Sequence, residues 1–331
     1  MDKKRWIALV IAAVLFVFSI GFQLATSLVT TDFSKLFNQG EKNFSEKVIE
    51  NGTGTEKIAV LNLEGVIQNA SGNALLQANG YNHKRFLEML EEAGEDRGVN
   101  GIILRVDTPG GGVVESAEIH DKIVEIQEKY KKPVYISMGN TAASGGYYIS
   151  APADKIVAHP ATLTGSIGVI MESINYAELA DKLGIDFNTI KSGEFKDIMS
   201  ASREMTKDER QILQTMIDEL YDEFVQVIVD GREMSESEVR KLGDGRVYTG
   251  SQAKQNGLVD DLGSMNDTIV MMKEDYDLKH AKVVEYGNKP AITELIGGKM
   301  QNLFGSESDL IGMQELLRQS NAPRAMYLYS R

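Results

Sequence analysis

The 331-residue chain has no cysteine. That excludes disulfides, a thiolate nucleophile and any cysteine-ligated metal site. Histidine is scarce: the four are His83, His120, His159 and His280. They show neither metal-ligand nor triad spacing, so the sequence gives little support to metal hydrolysis, and no cofactor is expected. Positive charge is in deficit as well. The 35 Lys and Arg residues stand against 48 Asp and Glu, a formal net charge of -13. Nucleic-acid partners need a basic face, so none is expected. No internal repeat is visible. What is there is a globular composition, 42% hydrophobic and 25% charged, on a chain long enough for a sizeable core.

The N-terminus departs from that composition. Lys3-Lys4-Arg5 precedes an apolar run from Trp6 to Phe22, interrupted only by Ser19 and Gly21. As a helix this run is roughly 25 Å long, close to the ~30 Å hydrocarbon core of a bilayer. Leu24 to Val29 can extend it. The basic cluster predicts a cytoplasmic N-terminus over residues 1–5 and a transmembrane signal anchor over 6–29. A cleaved signal peptide is the competing reading, but the run is longer than a typical h-region. Either way the remainder is translocated, which makes the expected protein a single-pass cell-membrane one with an extracytoplasmic domain. Residues 30–57 are polar and read as a stalk, 58–298 as the main domain, and 299–331 as a C-terminal tail of scattered apolar residues.

Within the main domain, Ile58 to Leu63 reads as a buried strand and Asn82 to Glu95 as a helix. Gly101 to Val106 is a second strand, followed by the loop Asp107-Thr108-Pro109-Gly110-Gly111-Gly112. Val113 to Tyr130 reads as an amphipathic helix with Ala117, Ile119, Ile123, Val124 and Ile126 inward. Pro133 to Met138 is a third strand. Strand, glycine loop, helix, strand is a βαβ crossover and predicts parallel pairing in an α/β fold. Ligands of such sheets bind beyond the C-terminal strand ends. Further on, Phe187 to Lys191 is expected as an edge strand. A long helix is expected over Lys207 to Asp230, with Leu213, Met216, Ile217, Leu220, Phe224 and Ile228 on one stripe. Ala281 to Glu285 reads as a late strand.

The third strand leads to Thr141-Ala142-Ala143-Ser144-Gly145-Gly146-Tyr147-Tyr148. A serine among small residues, between strand end and helix start, presents its hydroxyl beside the free N–H groups of a first helical turn. A nucleophile needs that geometry, although an ordinary capping serine shows the same residues. A nucleophile also needs a base. With histidine disfavoured, the candidates are lysines. As a base a lysine must be neutral, and lowering its pKa from ~10.4 to ~7.5 sets roughly 4 kcal/mol against the charged form. Lys196, after Ser192-Gly193-Glu194-Phe195, is so placed; Lys191 is not separable from it on these grounds.

Five segments in order carry a resemblance. Asp107 to Val113 is a glycine loop, Ala143 to Tyr148 a nucleophile motif, and Thr164-Gly165-Ser166-Ile167-Gly168-Val169 the segment after it. Ser192 to Lys196 is a lysine motif, and Gly245 to Gly250 with Ala253 and Gly257 to Asp260 a C-terminal signature. Together they resemble the signal peptide peptidase A (SppA) family in its short, single-domain form. Three positions depart from the family pattern: Ser200-Ala201-Ser202-Arg203 replaces its usual Ser-Pro-Phe before Arg, Thr108 a commoner serine, and Phe195 a common tyrosine.

The resemblance implies a ClpP/crotonase-like fold and a Ser/Lys dyad, with Ser144 as nucleophile and Lys196 as general base. It implies that Ser166 orients the lysine and that the backbone N–H groups of Gly111 and Gly145 form the oxyanion hole. It further implies hydrolysis of hydrophobic peptides such as cleaved signal peptides, at the membrane, by a ring-like homo-oligomer, and leaves open whether Ser144 and Lys196 pair within one chain or across subunits. Two rivals stand beside it: a crotonase-like acyl-thioester enzyme, disfavoured by translocation, and an inactive membrane scaffold in which Ser144 is a cap.

Overall fold

The strands that position the site are apolar on both faces. In β2 (Lys57–Glu64), Ala59, Leu61 and Leu63 face one core while Ile58 and Val60 face another. Period-two alternation with both faces buried is what an interior strand of a mainly parallel sheet requires. The first core is covered by α1 (His83–Glu95) and α2 (Val113–Lys129), through Phe86, Leu90, Ile119, Ile123 and Ile126. The second is covered by α8 (Met265–Asp275), through Ile269 and Met272. This is a computed structural model, which describes residues 44–69, 81–288 and 325–329.

The remaining strands are β1 (Phe44–Glu50), β3 (Val99–Thr108), β4 (Gly110–Gly112), β5 (Val134–Ala143), β6 (Lys155–Ala158), β7 (Leu163–Gly165), β8 (Val247–Thr249), β9 (Asp261–Leu262), β10 (Lys282–Asn288) and β11 (Met326–Leu328). The main sheet runs β1-β10-β2-β3-β5-β6-β9, with β7 branching from β5 to meet β8. Only β1/β10 and β7/β8 are antiparallel within it. The expected α/β class and mainly parallel sheet are therefore present. β11 and β4 form a separate antiparallel pair.

The other helices are α3 (Gly145–Ser150), α4 (Ala177–Lys182), α5 (Lys207–Arg232), α6 (Glu236–Leu242) and α7 (Gly250–Gln255). The chain enters α5 through a capping box: Thr206 Oγ1 accepts from the Glu209 N–H and Glu209 accepts from the Thr206 N–H. These reciprocal bonds satisfy donors that the first turn leaves free.

Several expectations differ from what forms. Phe187 to Lys191 is not a strand: Phe187 is half exposed, Ile190 wholly so, and no neighbouring strand pairs with them. The polar stretch read as a stalk contributes β1, an edge strand ordered by Val283 to Asn288 of β10. Of the stripe on α5, Phe224 and Ile228 are buried whereas Met216 is exposed. The anchor expected over residues 6–29 lies outside the described residues. Among the described residues no helix is long and apolar enough to cross a membrane.

Candidate active site

β5 ends at Ala143, α3 begins at Gly145, and Ser144 is the whole junction. Its backbone sits at φ 54°, ψ −116°. A non-glycine residue at positive φ is uncommon and strained, and a tight strand-to-helix turn is one place where surrounding structure enforces it. The enforcement is visible. The Ser144 N–H donates to the Gly165 carbonyl (2.8 Å), and its carbonyl accepts from Tyr147 (2.8 Å) and Tyr148 (2.9 Å). The Tyr147 hydroxyl, in turn, donates to the Leu258 carbonyl at 2.8 Å and locks α3 in place. The hydroxyl of Ser144 is buried and has no hydrogen-bond partner among the described residues. Ser144 stands at the N-cap position of α3, but its side chain makes no cap hydrogen bond. The turn resembles a nucleophile elbow, which holds a serine out at a sharp strand-to-helix bend.

The glycine loop does not remain a loop. Gly110 to Gly112 form β4, gripped on one side by Ile67, whose N–H donates to Gly110 (2.9 Å) and whose carbonyl accepts from Gly112 (2.8 Å). On the other side lies β11, in register Met326–Gly112, Tyr327–Gly111 and Leu328–Gly110. The approach is close enough to exclude side chains. A Cβ on Gly111 would lie 1.8 Å from the Ile67 carbonyl oxygen, and one on Gly110, at φ 99°, only 2.0 Å from that of Tyr327. The same Gly110 position would be 2.6 Å from the Gly145 nitrogen. The Tyr327 carbonyl is thus seated between the glycine strand and the start of α3, where two sets of backbone N–H groups converge. Residues 325–329, within the stretch read as a C-terminal tail, lie across the candidate site as an extended peptide.

Its side chains alternate accordingly. Tyr327 is fully buried, stacked on Tyr148 (4.9 Å between centroids) and tilted against Phe224 (4.7 Å). Its hydroxyl donates to the Leu220 carbonyl at 3.0 Å. Burial pushes the Tyr327 phenol well above its usual range, so it stays a neutral donor. Met326 and Leu328 point into a groove of about 1150 Å³ that Ile170, Met171, Leu213 and Ile217 also line. Ile170 extends the ladder, exchanging both backbone bonds with Met326 at 3.0 Å.

Of the predicted residues, Ser144, Gly111 and Gly145 are brought together: a Cβ on Gly145 would be 3.1 Å from both the Gly111 nitrogen and the Tyr327 carbonyl oxygen. Ser166 follows β7, is nearly buried at φ 51°, and donates its N–H to Arg246 (2.8 Å). No hydrogen bond joins Lys196 to Ser144 among the described residues. Lys196 is exposed, sits in a turn whose N–H reaches the Gly193 carbonyl (3.2 Å), and its ammonium makes no bond among the described residues. Lys191 is committed elsewhere, to the Glu194 carbonyl (2.8 Å) and the Asp197 carboxylate (2.7 Å). That ion pair separates the two lysines where sequence did not. The histidines are also engaged away from the serine: His83 between Tyr81 and Glu118, His120 with Asp121, His159 with the Ala161 N–H and His280 with Thr53.

The residue after Lys196 is the centre of a charged cluster that sequence reading missed. Arg203 first, then Lys191, hold the Asp197 carboxyl well below the usual carboxylate range. The Arg203 fork, followed by the Thr206 N–H, pulls Glu209 down to about 2. Depressed carboxylate pKa values stabilise the folded state above the unfolded range of roughly 4, and that contribution disappears as pH falls through the folded values. Amide protection in residues 191–203, with the intrinsic exchange rate at each pH divided out, is therefore expected to hold steady from pH 7 to about 4.5 and to fall between about 4 and 2, ahead of the core strands.

The profile of peptidase family S49 matches residues 126–279. A "Putative signal peptide peptidase SppA" of Enterococcus faecium is 40% identical over 99% of this chain and 99% of its own length. "Protease 4" of Haemophilus influenzae is 38% identical over 64% of the chain and 34% of its own. The Arabidopsis thaliana "Serine protease SPPA, chloroplastic" is 27% identical over 90% and 44%. With a strained serine at a strand-to-helix elbow, a glycine strand holding an extended peptide, and a relative matching nearly end to end, the chain belongs to the SppA family of serine proteases.

Proposed function

We propose that this serine peptidase is a membrane-tethered endopeptidase that cleaves hydrophobic peptides, signal-peptide remnants among them, with Ser144 as nucleophile and Lys196 as base. The observation that carries the reading is the peptide strand in the site. Its carbonyl at Tyr327 lies against Gly110 of the glycine strand and Gly145 at the start of α3, the residue after an elbow serine whose hydroxyl has no partner among the described residues. In a substrate, Oγ attacks the carbonyl carbon at that position while a neutral lysine amine takes its proton. Charge gathers on the carbonyl oxygen, where the Gly111 and Gly145 N–H groups stabilise it; one such donor is worth about 3–4 kcal/mol. The lysine returns the proton to the leaving amine, and water then hydrolyses the acyl-enzyme by the same route. Ser166 orients the amine.

We place Lys196 in a second copy of the chain. Within one chain the serine hydroxyl has no partner among the described residues, and the lysine is exposed. The lysine lies in a stretch with Leu183, Phe187, Ile190 and Phe195 exposed, an apolar surface a neighbour would cover. Covering it would also strip water from the amine. A ring-like homo-oligomer built this way, anchored by residues 6–29 with the catalytic domain outside the cell, puts each site near substrates that partition into the bilayer. The peptide ladder favours this reading over a thioester enzyme, which needs no strand-binding edge.

The test is complementation. Ser144→Ala and Lys196→Ala chains, each inactive alone on an apolar fluorogenic peptide, are dissociated, mixed and reassembled. Recovery toward about a quarter of parental activity is expected, since random pairing of equal amounts rebuilds one site in four. No recovery on reassembly would place both residues in one chain.

A further inference from the structure

Lys196 belongs to no helix or strand. From Leu183 to the Thr206 cap of α5 the chain makes only turns: Lys196 to Gly193 (3.2 Å), Ile198 to Phe195 (3.1 Å) and Ser200 to Asp197 (3.0 Å). Most side chains from Gly184 to Lys196 are exposed, so packing does not hold the lysine either. A base must be fixed within a fraction of an ångström of its proton donor. Something other than secondary structure has to supply that precision.

A support for the lysine turn lies beside it. The Arg203 guanidinium meets the Asp197 carboxylate side-on, through Nε (2.9 Å) and Nη2 (2.7 Å), and Nη2 also donates to the Asp197 carbonyl at 3.1 Å. Its other edge grips Glu209, through Nη1 at 2.8 Å and through Nη2. Glu209 is nearly fully buried and is itself pinned in the capping box of α5. That helix is anchored at its far end by Phe224, Val225 and Ile228. One side chain therefore ties the residue next to Lys196, by both carboxylate and backbone, to the end of a 26-residue helix.

We propose that Arg203 is a positioning residue for the Lys196 amine, acting through Asp197 and Glu209. The inference rests on the reading of Lys196 as the base. The Arg203–Asp197 pair is partly exposed, and such pairs contribute little to global stability, which leaves geometry as its use. The need for arginine follows from the fork: two carboxylates held in one plane and a carbonyl require several donors in fixed directions, and a lysine ammonium provides a single point. Neither Arg203 nor Asp197 lines the peptide groove, so the effect falls on the chemical step.

The experiment measures kcat and KM of the full-length assembled enzyme in detergent for Arg203→Ala, Arg203→Lys, Asp197→Asn and Lys196→Ala. For Arg203→Ala, kcat is expected to fall about 10²-fold, the cost of an ångström of misplacement, with KM within about threefold of the parent and unfolding midpoint and assembly size unchanged. Arg203→Lys is expected to stay as low. Guanidinium added at millimolar concentration, below its denaturing range, is expected to restore part of the rate of Arg203→Ala and none of that of Lys196→Ala. Should Arg203→Ala fail to assemble, the isosteric Asp197→Asn decides, with an expected kcat loss of about tenfold or more at unchanged KM. The proposal is overturned if kcat of the assembled arginine variant, or failing it of Asp197→Asn, stays within threefold of the parent, or if KM rises as much as kcat falls. A fully active Lys196→Ala is a separate result: it removes the base itself, and with it the role assigned here to Arg203.

Discussion

Ser144→Ala is expected to lower kcat by about 10³-fold or more while leaving the protein as stable as before, or slightly more so. Loss of a nucleophile in related chemistries removes nearly all the rate, because no other group forms the acyl-enzyme. The stability half of the expectation comes from the hydroxyl's surroundings. Within one chain it is buried, makes no side-chain cap bond and has no partner among the described residues. A buried polar atom without a partner costs about 1–3 kcal/mol, and alanine removes that atom. Alanine bears a Cβ as serine does, so the strain at φ 54° is carried over without change. A capping serine behaves in the opposite way, losing about 1 kcal/mol on replacement and no activity. Thermal unfolding and peptide hydrolysis measured on one preparation separate the two. An active variant with a lowered midpoint would return Ser144 to a structural role.

Removing the chain after Pro323 is expected to raise activity on a short peptide at low substrate concentration by at least tenfold, through a lower apparent KM with kcat unchanged. The segment from Ala325 to Tyr329 occupies the ladder that a substrate needs. Burying one large side chain such as Tyr327 stabilises the occupied state by about 1.5–3 kcal/mol, and the stack on Tyr148 adds about 0.5–1.5. At 1.4 kcal/mol per factor of ten, the ring alone accounts for one to two orders of magnitude of competition, of order 10- to 100-fold. Tethering raises the effective concentration of the segment further. Tyr327→Ala is expected to give an intermediate gain, because the backbone register survives. Steady-state kinetics on both variants decides; an unchanged KM in the truncated protein would mean that substrate enters by a path the tail does not block.

What could be read from the sequence divides along physical lines. β2, β3 and β5 are interior strands whose apolar runs are local signals, and the glycine loop and Ser144 fall at their C-terminal ends for topological reasons. β1 and β11 gave no such signal. Ser45 to Val48 pair with Val284 to Gly287, and Tyr327 pairs with Gly111, so the order of each comes from a partner more than 200 positions away. The opposite error occurred at Phe187 to Lys191, where β-propensity is present but no neighbouring strand exists to realise it. Within the site, the choice between Lys191 and Lys196 depended on an ion pair to Asp197. Arg203 was visible only as the residue closing an unusual Ser-Ala-Ser stretch; its two carboxylate partners lie six residues to either side and converge only in the folded turn.

The glycine strand between Ile67 and β11 accepts its occupant by main-chain pairing, with side chains passing alternately to the tyrosine pocket and the groove. A helix cannot make those bonds, since its N–H and C=O groups are already spent on one another. A hydrophobic peptide that rests in a bilayer as a helix must therefore unwind over about five residues, and leave the hydrocarbon to do so, before this edge can read it. Glycine or proline near the cleavage point lowers the work of that unwinding. On the proposed function, the slot selects not only for apolar side chains but against helical persistence, and it spares intact transmembrane segments on the same ground.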